Sequence, residues 1–275
     1  MSAVLPPPPA AGASGRVLDV SGTPPISFLR TCLVELRKSY NTRAGLWYLI
    51  AIASLIAVVE SIVLIVSLAQ DEPIFFEDSA FIAGGITSLL LPVLAIMLVT
   101  SEWSQRSAMV SFTLEPRRSR VVLAKLVVSL GFVLATLAMM VIVAVLTTGI
   151  AEIVKPELVT WNLDVELLIG FTIYQAITMT IGFAFAALLL NTPAAIVLFF
   201  LYWYLLPILI AWAGSISEGL GNALEWVNFQ LAVGPLIDWQ MDTGEEWGKL
   251  LVSGIVWIGL PLGFGLARIL RAEVK

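Results

Sequence analysis

The chain has 275 residues, of which 59% are hydrophobic and only 13% are charged, and its mean hydropathy is +0.96. This apolar share exceeds that of ordinary soluble domains and predicts one integral membrane domain. The net charge of −5 gives no reason to expect a nucleic-acid partner. The absence of histidine excludes Ser-His-Asp and Cys-His catalysis and histidine-bound metals, and the single cysteine, Cys32, excludes an internal disulfide. We expect Cys32 to be a small apolar filler without a function.

The amino-terminal region divides into a tail and an amphipathic helix. Residues 1–25 are rich in Pro, Gly, Ala and Ser and lack the apolar core of a secretory signal, so we expect a disordered tail that is not cleaved. Residues 26–45 are predicted to contain a helix in the membrane surface, with Arg30, Arg37 and Lys38 toward the headgroups. A helix packed on a partner protein is the alternative. The apolar stripe of this helix consists of Ile26, Leu29, Leu33, Leu36 and Tyr40.

Six apolar runs are long enough to span a membrane, because about 20 residues cross a hydrocarbon core of about 30 Å. We therefore predict an all-α fold with six transmembrane helices within residues 46–275. The fifth span is expected to begin with Thr192 as its N-cap and Pro193 in its first turn, and to be kinked, if anywhere, at Pro207. The predicted spans are 46–69, 80–100, 122–150, 165–190, 194–213 and 248–270.

The distribution of charge predicts how the spans are oriented. Six spans place both termini on one side, and all basic residues except Lys155 and Lys249 lie on that side. The positive-inside rule makes this side cytoplasmic. We expect a multi-pass protein in the cytoplasmic membrane of a prokaryote, with both termini in the cytoplasm.

The cytoplasmic loop at residues 101–121 follows the second span and is polar and basic. A membrane protein that receives force from a soluble motor needs a rigid peg at such a position, and residues 101–114 suit a short helix of this kind. An ordinary basic loop that only sets the topology is the alternative.

The residues of this loop look like the signature of type-2 ATP-binding cassette permeases. In that family an EWR-x-GT-like start leads to a T-x-P-x-R-R turn and then to a VLAK-like beginning of the third span. The chain departs from this pattern at Ser104, where the family has Arg after Trp, and at Arg106-Ser107, where it often has Gly-Thr. The residues that carry the resemblance are Glu102, Trp103, Arg106, Ser107, Phe112 to Leu114, Pro116 to Arg120, and Leu123 to Lys125.

The resemblance implies a non-catalytic permease subunit of an ATP-driven transporter that exports an amphiphilic or hydrophobic substrate. The loop at 101–121 would be a coupling helix that docks on a separate P-loop ATPase, and residues 26–45 would be the connecting helix beside it. Two ATPase copies, which hold the ATP and Mg, would join two permease copies, either identical or paralogous, and this chain would bind no cofactor. The residues implied in ATPase coupling are Glu102, Trp103, Arg106, Pro116, Arg117, Arg118 and Arg120.

The sequence contains no ATP-binding motif of its own. The segment from Gly244 to Leu250 is the nearest to a P-loop, but it has three residues between its glycines, lacks the hydroxyl residue and lies on the outer side. ATP is therefore expected on a separate subunit.

The outer segment at residues 213–247 is unusually apolar for a loop. Ser215 to Glu218 and Thr243 to Glu246 both match a capping box, and a re-entrant or interfacial helix is predicted between them, broken at Gly234-Pro235. Its tryptophans, which include Trp226 and Trp239, suit the membrane interface. The resemblance implies that this segment gates the exit, whereas a passive anchoring helix is the alternative.

Glu60 is the only ionisable residue well inside a predicted span, where burial costs several kcal/mol unless it is protonated or paired. It is either a substrate or pairing site that faces the dimer pathway, or a neutral group hydrogen-bonded to a neighbouring span. Gln175 shares a helix face with Thr172, Thr178 and Gly182, and the glycine pair at 259 and 263 forms GxxxG. Both patterns predict helix packing, and a pathway role for Gln175 is the alternative.

Two other functional classes fit an apolar chain of this size. A membrane-embedded enzyme or sensor is disfavoured because histidine and a cluster of intramembrane carboxylates are absent from the sequence. A secondary transporter normally needs more than one buried ionisable group to relay ions.

Overall fold

The computed structural model describes residues 26–105, 112–113 and 115–271, and within them the chain is almost entirely helical. Six helical segments there are long and apolar enough to span a membrane, which is consistent with the predicted all-α membrane protein. The tail at 1–25 and Arg106 lie outside the described residues. The first four spanning helices and the helix before them are α1 (Phe28–Asn41), α2 (Arg43–Gln70), α3 (Phe76–Ser104), α4 (Arg118–Val154) and α5 (Val165–Leu189).

The fifth and sixth spans are each interrupted by a short π-helical turn. The fifth comprises α6 (Thr192–Phe200), the turn Leu201–Leu205 and α7 (Leu206–Ile216). Two short helices follow, α8 (Glu218–Glu225) and α9 (Phe229–Ile237), and then the sixth span. It comprises α10 (Gly244–Gly254), the turn Ile255–Gly259 and α11 (Leu260–Arg271).

The start and the middle of the fifth span differ from the predicted details. Asn191, not Thr192, is the N-cap, because the Asn191 side chain accepts a hydrogen bond from the amide of Ala194 at 3.0 Å. Pro207 has no N–H to donate to the carbonyl of Trp203, one helical turn earlier. The side-chain amide of Gln230 instead donates to that carbonyl at 3.3 Å. The irregularity expected at Pro207 therefore begins as a π turn just before it.

Helices α3 and α5 are the most buried spans and lie at the centre of the bundle, whereas α2 lies at its edge.

Gly182 of α5 packs against Pro92 of α3, as the shared face with Gln175 predicted. The packing role of the glycine pair in the sixth span stays a prediction, since a Cβ added at Gly263 would meet no described atom of this chain within 4 Å. The close approach is made by Gly265, where an added Cβ would lie 2.5 Å from the backbone of Ala187.

Helix α1 lies across one end of the bundle, which we call the α1 end. Thr42 is extended and caps α2, and Gly45 follows at a sharp turn where an added Cβ would lie 1.9 Å from the carbonyl oxygen of Ser39. Cys32 is buried against α3 and α4, as expected of an apolar filler. Most of the predicted apolar stripe, including Leu29 and Leu33, is exposed on the outside of the bundle, so its contact with lipid stays a prediction.

The opposite end of the bundle holds the loops predicted to lie outside. Strands β1 (Ile74–Phe75) and β2 (Val159–Thr160) pair in parallel and join the loops that follow α2 and α4. The capping box at Thr243 and Glu246 is confirmed. The prediction of a capping box at Ser215 is wrong, because Ser215 lies inside α7 and its hydroxyl donates to the carbonyl of Trp212. The predicted helix break at Gly234-Pro235 is also wrong, since both residues lie within α9. The helical segment is interrupted between α8 and α9 instead.

Candidate functional site

Four charged side chains meet where α1 crosses the ends of α3 and α4. We call Glu35, Lys38, Glu102 and Lys125 the charge cluster. Glu35 and Lys38 come from α1, Glu102 from the last turn of α3, and Lys125 from the second turn of α4. Glu35, Glu102 and Lys125 are each 5% exposed or less, whereas the side chain of Lys38 is 36% exposed.

The acids and bases of the charge cluster alternate. The ammonium of Lys38 donates to one oxygen of Glu35 and one of Glu102, each at 2.6 Å. The ammonium of Lys125 donates to the other oxygen of Glu35 at 2.6 Å and to the carbonyl of Leu98 at 2.9 Å. Lys125 also lies 3.4 Å from the Glu102 oxygen that binds Lys38. Two positive and two negative charges therefore balance in a largely buried site.

The energetics of the charge cluster favour a fixed geometry. Each buried ion loses several kcal/mol of hydration, which its partners offset only while they remain in place. Burial alone would lower the pKa of Lys38, but the carboxylates of Glu102 and Glu35 outweigh burial and raise that pKa above its usual value. Lys38 thus stays charged. Separating α1 from α3 or α4 would strand a buried charge, so the three helices are expected to move together.

The structure bears on two predicted roles in this region. The role of Glu102 in ATPase coupling stays a prediction, and its carboxylate is buried and bound by Lys38 of the same chain. Lys38 was predicted to face lipid headgroups, but it turns inward onto the same carboxylates. The reason is the close crossing of α1 over α3, which offers each side chain a charged partner in place of water or headgroups.

Three described side chains of the loop at 101–121, those of Trp103, Phe112 and Arg118, contact one another or the bundle. The rings of Trp103 and Phe112 lie 6.2 Å apart, and the guanidinium of Arg118 lies 4.9 Å from the centre of the Phe112 ring. Arg118 also donates to the carbonyl of Ile269 at 3.0 Å, near the end of α11. The loop is therefore joined to the last helix of the chain.

Arg120 connects the same loop to Ile26, just before the start of α1. It donates to Glu115 at 3.2 Å and to the carbonyl of Ile26 at 2.6 Å. Pro116 and Arg117 are exposed. Arg118 and Arg120 thus serve contacts within the chain, and Pro116 and Arg117 are the exposed ones among the described coupling residues.

Glu60, predicted as a pathway or packing residue, lies in a groove between α2 and α4. Glu60 is 4% exposed as a whole residue, and one of its carboxyl oxygens accepts a hydrogen bond from the hydroxyl of Thr147 at 3.3 Å. The other oxygen, Oε1, has no hydrogen-bond partner in the described part of the chain. The groove has a volume of about 340 Å³ and walls that are mostly apolar.

Gln175 and the two outer tryptophans lie apart from Glu60. Gln175 is 1% exposed in α5, and its side-chain amide makes no hydrogen bond to any residue that the structure describes. Trp226 packs its ring on Gly248 at the start of the sixth span, and Trp239 donates to the carbonyl of Glu166 at 3.2 Å. Both tryptophans are exposed at the end opposite α1, and a gating role for them stays a prediction.

Sequence reasoning missed two members of the charge cluster. Glu35 is the only acid within the basic amphipathic helix α1, and it lies one helical turn before Lys38, which was a usable signal. Lys125 was used as a topology-setting base and as the last residue of the VLAK-like match, but not as a pairing residue, although an apolar run follows it directly. An isolated charge at the edge of an apolar helix is a candidate for pairing with another helix.

The arrangement at the α1 end binds helices together, and no bond-making chemistry follows from it. Within residues 26–105, 112–113 and 115–271, no group of three or more Cys, Asp or Glu residues could hold a metal ion. Comparison of the sequence with protein-family models and with curated proteins finds no match. The chemistry of the α1 end and the resemblance of its loop are therefore the grounds for a functional proposal.

Proposed function

We propose that the chain is the permease subunit of an ATP-driven transporter and exports an amphiphilic or hydrophobic substrate such as a drug, lipid or peptide. It catalyses no reaction itself. Two copies of a separate P-loop ATPase, which bind ATP and Mg, dock at the α1 end, and a second permease copy completes the pathway. The α1 end and both termini face the cytoplasm of a prokaryotic cell.

The observation that carries this proposal is the charge cluster. Glu102 lies two residues before the end of α3, so the cluster holds the helix that leads directly into the loop at 101–121. The cluster also fixes α1, which crosses the same end of the bundle. A force applied to that loop would reach α1, α3 and α4 together, because buried ion pairs resist separation.

The contacts of the arginines extend this connection to the rest of the bundle. Arg118 joins the loop to the end of α11, and Arg120 joins it to the start of α1. A partner that pushes on the loop would therefore act on the first and last described helices as well. The basic character of this end and the resemblance of its loop support a cytoplasmic ATPase as that partner.

The exposed Arg117 offers a direct test of ATPase docking. The full chain is purified from its native membranes, and copurifying P-loop ATPase is measured by its stoichiometry and its ATP turnover. We expect Arg117→Glu to remove most of the ATPase, because the substitution reverses an exposed charge on the proposed docking surface.

Arg43→Glu is the matched control, because Arg43 is also exposed and lies at the start of α2. The charge change is the same, and a glutamate suits either helix start, so both variants should fold. Arg43→Glu should retain more ATPase than Arg117→Glu. Transport that runs on an ion gradient in the absence of any ATPase would contradict the proposal and favour a secondary transporter.

A further inference from the structure

The groove between α2 and α4 is distinct from the charge cluster and opens on the outer surface of the bundle. Ala53, Ala57 and Ser61 of α2 form one wall, and Leu146 and Ile150 of α4 form part of the other. All five are exposed, and Ser61 is the only polar residue among them. The volume of about 340 Å³ lies within the range of about 300 to 1,000 Å³ that is usual for small-molecule sites.

The carboxyl of Glu60 is the one ionisable group that lines this groove. Its Oε2 is bound by Thr147, but its Oε1 is buried without a hydrogen-bond partner in the described chain. A buried oxygen of this kind costs free energy until a donor reaches it. The best donor is a cation, because a charge-assisted hydrogen bond is about twice as strong as a neutral one.

We infer that the groove binds an amphiphilic primary amine, with the ammonium on Glu60 and the aliphatic chain along the apolar walls. The ammonium donates to Oε1 and balances the carboxylate, while Thr147 continues to donate to Oε2. This site goes beyond the proposed function, since the binding step requires neither an ATPase nor nucleotide.

The position of Glu60 within the membrane favours a soluble amphiphilic amine over an aminophospholipid as the ligand. The 28 residues of α2 are about 42 Å long against a hydrocarbon core of about 30 Å, and about 15 Å of helix separate Glu60 from Gln70. Glu60 therefore lies within the hydrocarbon layer, below the plane that holds lipid headgroups. A free amine can enter the groove to that depth, whereas a lipid ammonium is held at the headgroup plane.

The test measures binding to the full chain in lipid nanodiscs without ATPase or nucleotide. The probe is a dansyl-labelled dodecylamine, and its fluorescence is corrected for empty nanodiscs. We expect saturable binding that weakens about tenfold or more in Glu60→Gln, or when an alcohol replaces the amine of the probe. Glu218→Gln, which makes the same chemical change at an exposed carboxyl outside the groove, should leave the dissociation constant unchanged.

A second pair of variants keeps the test decisive if Glu60→Gln fails to fold. Leu146→Trp fills the groove from its exposed wall and should abolish binding, whereas Leu251→Trp, at an exposed leucine of α10, should not. Equal affinity of the amine and the alcohol would overturn the inference. Unsaturable binding to the wild-type chain, as expected if a second copy or lipid tails cover the groove, would also overturn it. Competition by phosphatidylethanolamine would assign the groove to a lipid headgroup instead.

Discussion

The chain buries carboxylates in two places, and these carboxylates differ in how many partners they have. In the charge cluster, Glu35 and Glu102 share two lysines, and each ammonium contacts both acids. In the groove, Glu60 has one hydroxyl partner on one oxygen and none described on the other. The first site is charge-balanced within the chain, whereas the second leaves an oxygen to be satisfied from outside.

This difference separates a mechanical role from a binding role. A complete set of buried ion pairs fixes the helices that supply it, since removing any member strands a charge. A buried carboxyl with an incomplete set of partners can still form a favourable hydrogen bond to a ligand that supplies the missing donor. The comparison predicts large losses of stability for substitutions in the charge cluster and small losses for substitutions at Glu60.

The largest effect is expected for Lys125→Met, which removes the most buried cation of the charge cluster. Glu35 and Glu102 would then share only Lys38, and the carbonyl of Leu98 would lose a donor. We expect the free energy of unfolding to fall by about 3 to 5 kcal/mol. Denaturant titration of the purified chain in mixed micelles measures this change.

The double variant Glu35→Gln with Lys125→Met provides the control for that result. It removes one acid and one base together and leaves Lys38 paired with Glu102. It should recover part of the loss, because the remaining charges balance. Additive losses in the double variant would show that the charge cluster does not act as a unit.

A smaller loss is expected for Glu102→Gln in the same site. Lys38 and Lys125 would then share only Glu35, which leaves an excess positive charge. Because the side chain of Lys38 is 36% exposed, it can turn toward water and relieve part of this cost. We expect a loss of about 2 to 3 kcal/mol by the same titration, and a loss above that of Lys125→Met would contradict the role assigned to exposure.

The spans were predictable because their signal is local. Each apolar run reaches or exceeds the length that the hydrocarbon core requires, and turn residues, charges and prolines mark the loops between the runs. The capping box at Thr243 was predictable for the same reason, since both of its members lie within one turn. The N-cap of the fifth span was misplaced by one residue, because Asn191 and Thr192 are both good capping residues.

The charge cluster was not predictable, because its members lie far apart in the sequence. Glu35, Glu102 and Lys125 meet only when α1 crosses α3 and α4, and helix periodicity carries no information about that crossing. Glu102 lies next to a polar loop, and nothing in that local sequence indicates the two lysines that its carboxylate meets in the fold. The close contact of Gly265 was missed for the same reason, since it depends on the backbone of Ala187 in another span.

In the groove, Thr147→Val is expected to cost less than either substitution in the charge cluster. Valine keeps the shape of the side chain but removes the hydroxyl that donates to Glu60 at 3.3 Å. We expect the free energy of unfolding to fall by about 1 to 2 kcal/mol, because a buried carboxyl loses its described partner. Thr180→Val is the control, since the described hydrogen bond of that hydroxyl runs to the carbonyl of Ala176 within its own helix. Equal losses in the two variants would mean that the bond to Glu60 adds nothing.

The smallest effect is expected for Glu60→Gln, which makes the same chemical change as Glu102→Gln in the other site. The glutamine oxygen can still accept the hydrogen bond from Thr147, and the substitution leaves no opposite charge stranded among the described residues that line the groove. We expect the free energy of unfolding to change by less than about 1 kcal/mol. A loss as large as that of Glu102→Gln would mean that Glu60 is held by a strong partner in the folded chain. In that case its carboxyl would belong to the structural framework, as Glu35 and Glu102 do, and would no longer be available to an amine.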